Sequence, residues 1–248
     1  MHRFRIRFVM PPAVVAALFA TNPSPAAAAE APQPASVQTL GLVLFDGFEI
    51  LDACGPLEVW GNLKTRVKVV TVAATAGPIK SSQGAAMIAD HSFADCPPLD
   101  MLLIPGGLGA FTALKDEATL EFLRKRSAEA KLTMSVCNGA SLLAAAGLLD
   151  GRKATTNKAY WKQSTAPGPK VDWIRKARWV DDGNVVTSSG VSAGIDMTFH
   201  VVERWYGAAT ADRLADEIEY ERHRDAAWDP FAEKNARPAK KKKNERSS

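Results

Sequence analysis

The chain predicts an α/β sandwich built on a largely parallel sheet, and three observations carry that expectation. Short apolar runs alternate with longer segments of helical periodicity, the pattern of strands joined by helical crossovers. Several of those runs end abruptly at glycine or at a helix start, as strands do where they leave a sheet. The stretch that carries the pattern, residues 38–231, suits one domain with a sizeable core, and no internal repeat divides it.

In chain order, TLGLVLF reads as a buried strand and DGFEILDACGPLEVWG as a turn leading into a helix. VKVVTVAA is the second strand, and LDMLLIPGG the third, ending in two glycines. DEATLEFLRKRSAEA has helical periodicity with acids in its first turn, where the helix dipole favours them. LTMSV is a further strand that feeds the small-residue helix NGASLLAAAGLL. ARWVDDGNVVTSSG predicts a hairpin turning at Asp182-Gly183, and VSAGIDMTFHVVERWYG a mostly buried helix. EYERHRDAAWDPF is expected to wrap back over the domain, anchored by Tyr220, Trp228 and Phe231.

The ends differ in composition from this body. MHRFRIRF has three arginines and no acid, VMPPAVVAALFA is apolar, and SPAAAAEAP supplies small residues for cleavage after Ala29. That is the three-part plan of a secretory signal peptide, so residues 1–29 are expected to direct the protein to the periplasm or beyond. The apolar run is too short for a membrane span. Residues 30–37 read as a linker, and 232–248 as a solvated, disordered basic tail able to touch an anionic surface. The formal charge of +4 comes from these ends: the body between them holds 21 basic against 25 acidic residues. No basic face is implied, which argues against a nucleic-acid partner.

Three cysteines, Cys54, Cys96 and Cys137, are an odd set for an exported chain, and their spacing fits no zinc site. Whether Cys54 and Cys96 pair is left open by the sequence. Sites in open α/β sheets form at the carboxyl ends of the strands. That singles out the turn around Asp52, the Pro105-Gly106-Gly107 turn, and Cys137 in SVCNGAS. Cys137 stands where strand gives way to helix. A tight turn there exposes the side chain and aims a helix N-terminus at it, which favours thiolate and makes it nucleophilic. The N–H groups of Asn138 and Gly107 are candidates for an oxyanion pocket. A buried structural cysteine is the competing interpretation.

LLIPGGLGA, SVCNGASLLAAAGLLDGRKATTN and VTSSGVSAGIDMTFHVVERWYG, in this order after LDACGPLEVW, resemble the ThiJ/PfpI superfamily of class I glutamine amidotransferase-like proteins. Within it they are most similar to the isonitrile hydratase branch, which shares its domain with the sensor half of some AraC-type regulators. The resemblance spans about residues 38–231 and implies a flavodoxin-like α/β/α sandwich, a homodimer, Cys137 as the reactive centre and Asp52 as its acidic partner. A carboxyl beside the sulfur can carry a proton, and two acids so close hold one proton between them. Three positions depart from the family pattern: Ser135 stands for an elbow glycine, Asn138 for a threonine, and Asn157 for a histidine after ATT. Asn157 can orient substrate or water but cannot shuttle protons. His200 is expected in the core or an interface, and His91 and His223 in irregular stretches, so a Cys-Asp centre is favoured over Cys-His.

These residues imply a small-molecule substrate and no cofactor. The first function expected is hydration of an isonitrile to an N-substituted formamide. The alternatives are action on 2-oxoaldehydes, and ligand binding or peroxide sensing without turnover.

Overall fold

The computed structural model describes residue 34 and residues 36–235. The expected leader, most of the linker and the tail beyond 235 lie outside the described residues. The chain begins with β1 (Gln38–Val43), α1 (Ile50–Gly61) and β2 (Val67–Ala73), followed by three short strands, β3 (Gly77–Lys80), β4 (Ala86–Ala89) and β5 (His91–Ser92). Next come β6 (Met101–Ile104), α2 (Ala110–Ala113), α3 (Glu117–Glu129), β7 (Leu132–Ser135) and α4 (Gly139–Ala145). Small elements β8 (Lys153–Ala154), α5 (Trp161–Thr165) and β9 (Asp172–Trp173) precede the hairpin of β10 (Trp179–Asp182) and β11 (Val185–Ser188). Helices α6 (Ala193–Tyr206), α7 (Ala208–Glu217) and α8 (Phe231–Lys234) follow.

Seven strands form the central sheet in the order β10-β11-β7-β6-β1-β2-β5, parallel throughout except for the β10–β11 pair. Alternation along each strand sends side chains to two cores. Met101 and Leu103 join Leu40, Leu42, Met134 and Val186 beneath α1 and α6, whereas Leu102 and Ile104 join Val43, Val72, Leu123 and Leu142 beneath α3 and α4. Helices on both faces of a mostly parallel sheet make the α/β/α sandwich that was expected. Gly55 lets α1 close on α6: a Cβ there would lie 2.7 Å from Ile195 Cγ1. Asp116 caps α3 by accepting the Ala118 N–H at 3.3 Å and the Thr119 hydroxyl at 2.5 Å.

The structure corrects several local expectations. The hairpin turns one residue later, because Asp182 pairs with Val185 and the two-residue loop is Gly183-Asn184, with Gly183 at φ +79°. On the pairing that the sequence left open, all three cysteines are free thiols. His91 belongs to a strand rather than an irregular stretch, and His200 is half-buried, bonding Asp181 Oδ2 at 2.7 Å through Nε2. The segment after α7 does fold back over the domain. Tyr220 stacks on Phe199, and Arg178 lies over the Trp228 ring. Trp228 and Phe231, however, are 42% and 43% exposed, and Ala232 is buried. Among the described residues no helix is long and apolar enough to cross a membrane.

Candidate active site

Cys137 follows β7 with φ +57°, a left-handed conformation that costs a non-glycine residue about 1–3 kcal/mol. Its surroundings hold it there. The Cys137 N–H donates to Ser189 O at 3.2 Å, and its carbonyl accepts the Thr156 hydroxyl at 2.9 Å. Gly139 permits the crossing, since a Cβ at that position would stand 2.5 Å from Ile104 O. The sharp strand-to-helix turn is therefore present. Its side chain is not exposed as the turn alone suggested: Cys137 is only 5% accessible.

Asp52 reaches the same place from the first turn of α1. The carboxylate does not cap that helix; Oδ2 accepts the Gly106 N–H at 2.8 Å, across from the end of β6. Pro56 lacks the N–H that would otherwise bond the Asp52 carbonyl, which loosens the helix at this residue. Oδ1 has no protein donor in hydrogen-bond geometry. A buried carboxylate with an unsatisfied oxygen favours its protonated form.

The proton affinities follow. Burial pushes the Asp52 carboxyl well above its ordinary value against the Gly106 hydrogen bond, with Glu49 adding to the rise. Burial, then the Asp52 charge, pushes the Cys137 thiol well up, opposed by hydrogen bonds from the Asn138 N–H and the Asn157 side chain. The expectation of a thiol lowered by a helix terminus is thus corrected. Helix α4 spans only Gly139–Ala145, and loss of water around the sulfur outweighs its dipole. Asp52 and Cys137 are instead a buried pair of acids in which ionising both is unfavourable.

The other predicted residues lie around this pair in altered roles. Gly107 does not offer a free N–H: it donates to Asn138 Oδ1 at 2.7 Å, while Asn138 Nδ2 donates to Gly107 O at 2.9 Å. This reciprocal amide pair ties the turn after β6 to the turn after β7. The Asn138 backbone N–H is directed at the sulfur. Asn157 accepts the Tyr160 N–H on Oδ1 at 3.0 Å, which fixes its Nδ2 as the end that serves Cys137.

Sequence reasoning missed three participants. Gly190 presses against the site, for a Cβ on it would lie 2.2 Å from Asn157 Nδ2 and 2.9 Å from Cys137 Sγ. Lys158, next to Asn157, is buried, and loss of water lowers its proton affinity to about 8. Its Nζ donates to Thr155 Oγ1 (2.6 Å), Thr156 O (2.9 Å) and Ala177 O (3.1 Å), and pairs with Asp229 at 3.3 Å. Asp229 is the third. A pocket of about 390 Å³ opens beside Asn157 and Gly190, with Leu51, Val191 and Phe231 among its walls. Cys54, two residues from Asp52, is half-buried, its thiol raised by burial.

Comparison with known proteins gives a consistent picture. The DJ-1/PfpI family model matches residues 39–204. A protein named isonitrile hydratase from Pseudomonas putida is 38% identical over 183 residues, covering 73% of this chain and 78% of that protein. The HTH-type transcriptional regulator GbdR of Pseudomonas aeruginosa is 27% identical over 198 residues, covering 78% of this chain but 53% of the regulator. Among solved structures, a ThiJ/PfpI family protein from Pseudomonas syringae superposes with a TM-score of 0.70 at 32% identity, covering 76% of this chain and 77% of that one.

Proposed function

This chain belongs to the DJ-1/PfpI family, and from that premise we propose that it is a cysteine-dependent enzyme that hydrates isonitriles to N-substituted formamides. The observation that supports this most is the burial of Asp52 beside Cys137 at the strand-to-helix turn; in this reading the pair holds one proton between them, which is what the reaction requires. In the reactive tautomer the sulfur is thiolate and Asp52 is the acid. The thiolate attacks the terminal carbon of R–N≡C, forming the C–S bond, and Asp52 protonates that carbon to give a thioimidate, R–N=CH–S. Water then adds to the same carbon. One of its protons goes to nitrogen by way of the Asp52 carboxylate. Collapse of R–NH–CH(OH)–S expels the thiolate, the hydroxyl proton returns to Asp52, and R–NH–CHO leaves.

Each neighbour has a task in that sequence. The Asn138 N–H and Asn157 Nδ2 stabilise the thiolate when it departs. The Gly106 N–H holds Asp52 facing the centre. The dry surroundings strengthen these contacts and limit competing protonation of the thiolate by bulk water. No step needs a histidine, which accords with Asn157 at the family's histidine position.

A second reading, ligand binding without turnover, is favoured by one observation: at rest the thiol is pushed up rather than ionised. The regulator among the relatives makes such a role credible for this domain type. Export through residues 1–29 and homodimerisation belong to the same proposal, the first supported by composition alone and the second by family resemblance.

The test is to incubate the protein with cyclohexyl isocyanide in ¹⁸O-water and assay N-cyclohexylformamide by mass spectrometry. Labelled product from the wild type, absent with Cys137→Ala, is expected. A folded wild-type protein with a titratable Cys137 that yields no product would overturn isonitrile hydration and leave ligand binding as the better account.

A further inference from the structure

The match to the family model ends at residue 204, yet two walls of the pocket come from beyond it: Phe231 and Asn235, carried by the strap that follows α7. Leu51 of α1 lines the same pocket. Leu51 is 40% and Phe231 43% exposed. Large apolar side chains left in water on the rim of a pocket mark a place where an apolar ligand group would be covered.

The strap is held by a chain of contacts that starts at the active-site loop. Lys158, adjacent to Asn157, pairs with Asp229 Oδ2 at 3.3 Å. That oxygen also accepts the Ser189 hydroxyl at 3.0 Å, next to Gly190. The other, Oδ1, accepts the Phe231 N–H at 2.9 Å. Asp229 and Lys158 are both buried, so the contacts are not averaged by solvent. One carboxylate thereby fixes Phe231 relative to the two residues that flank the sulfur, Asn157 and Gly190.

We propose that the strap is the specificity wall of this active site: Phe231, set in place by Asp229 and Lys158, closes with Leu51 on a cyclic or branched apolar substituent of the substrate. The proposal rests on the hydratase reading for the reaction itself, but not for the pocket. A volume of about 390 Å³ admits a ring-sized group. Phe231 is a specificity residue, and Asp229 and Lys158 are positioning residues.

The test compares kcat/KM for cyclohexyl isocyanide and methyl isocyanide in the full chain. Phe231→Ala is expected to lower the cyclohexyl-to-methyl ratio about ten-fold or more, the scale set by lost apolar contact in a pocket. Ile88→Ala, an exposed change on β4 far along the chain from these residues, serves as the control and is expected to leave the ratio within about two-fold. A ratio in Phe231→Ala equal to the wild-type ratio overturns the proposal. For Asp229→Asn, a raised KM for cyclohexyl isocyanide in protein of checked melting temperature supports positioning. A fall in kcat alone, as loss of folded enzyme would give, overturns it. If the wild type turns over no isonitrile, calorimetry of N-cyclohexylformamide and N-methylformamide on Cys137→Ala protein still decides. A Phe231-dependent preference for the cyclic ligand supports the pocket while the hydratase reading falls, and no preference overturns both.

Discussion

Asp52 and Asp229 are both buried carboxylates within the same neighbourhood, and the protein surrounds them in opposite ways. Asp229 meets the Lys158 ammonium, the Ser189 hydroxyl and the Phe231 N–H, so both oxygens are satisfied and a countercharge is at hand. Asp52 meets a single N–H, a second acid and the charge of Glu49. A hydrogen-bonded ion pair holds structure, whereas a buried acid pair short of partners keeps a proton at hand at the cost of stability. The Arg178–Asp196 pair falls with Asp229. Asp196 Oδ2 accepts Arg178 Nε at 2.7 Å, and Oδ1 accepts the Tyr220 hydroxyl and the His223 N–H. Full hydrogen bonding of structural charge beside a starved pair at the candidate site is what separates scaffold from site here.

That contrast can be broken in four ways. The largest effect is expected from Asp52→Asn, which keeps an acceptor for the Gly106 N–H but removes the transferable proton. Turnover of cyclohexyl isocyanide should fall about 10²–10⁴-fold, while the urea midpoint holds or rises. Next, Asp196→Ala should leave Arg178 buried without its partner and lower stability by about 3–5 kcal/mol in chemical denaturation. If it costs no more than a surface substitution, the pair is not structural. Third, Gly190→Ala would push against Asn157 Nδ2 and Cys137 Sγ. Misplacement on that scale should lower kcat roughly ten- to hundred-fold with the fold intact by circular dichroism.

The smallest effect concerns pH. Asp52 binds its proton more tightly folded than unfolded, so its contribution to stability is fully present below the ordinary carboxylate value of 3.8 and is lost as pH rises through the raised folded value. Denaturation midpoints of Asp52→Asn and wild type should therefore diverge in favour of the variant as pH rises above that ordinary value. Parallel curves would mean that Asp52 is ionised freely in the native state.

Much of the sheet was legible in the sequence because its strands are continuous apolar runs bounded by turns. LTMS, MLLI and VVTS are buried at every position. The β3–β4 hairpin was not legible: GPIK and AMIA are short and mostly open to solvent, so no apolar pattern marks them. Helix α7 was missed although Ala211, Leu214 and Ala215 mark its buried face at helical spacing after Gly207. Cys137 and Asp52 could be found because a strand-to-helix junction and a family motif point to them. Their electrostatics could not, since burial depends on chain segments far apart in sequence. Gly107 illustrates the limit, as nothing local says that Asn138 will occupy its N–H. Lys158 illustrates it more sharply. In TTNKAYW it looks like a solvated lysine, and its burial depends on partners distant in sequence, Ala177 and residue 229, the latter brought back by the strap.

The shared proton is tested most directly by titrating the Cys137 thiolate through its ultraviolet absorbance. The Cys137→Ala spectrum subtracts Cys54 and Cys96, and wild type is compared with Asp52→Asn. If Asp52 and Cys137 hold one proton between them, the wild type loses the last proton of the pair only well above the ordinary thiol value of 9.0. Asp52→Asn should then ionise Cys137 in a single step at lower pH. Superimposable curves in the two proteins would contradict the coupling, and with it the proton inventory on which the hydration chemistry depends.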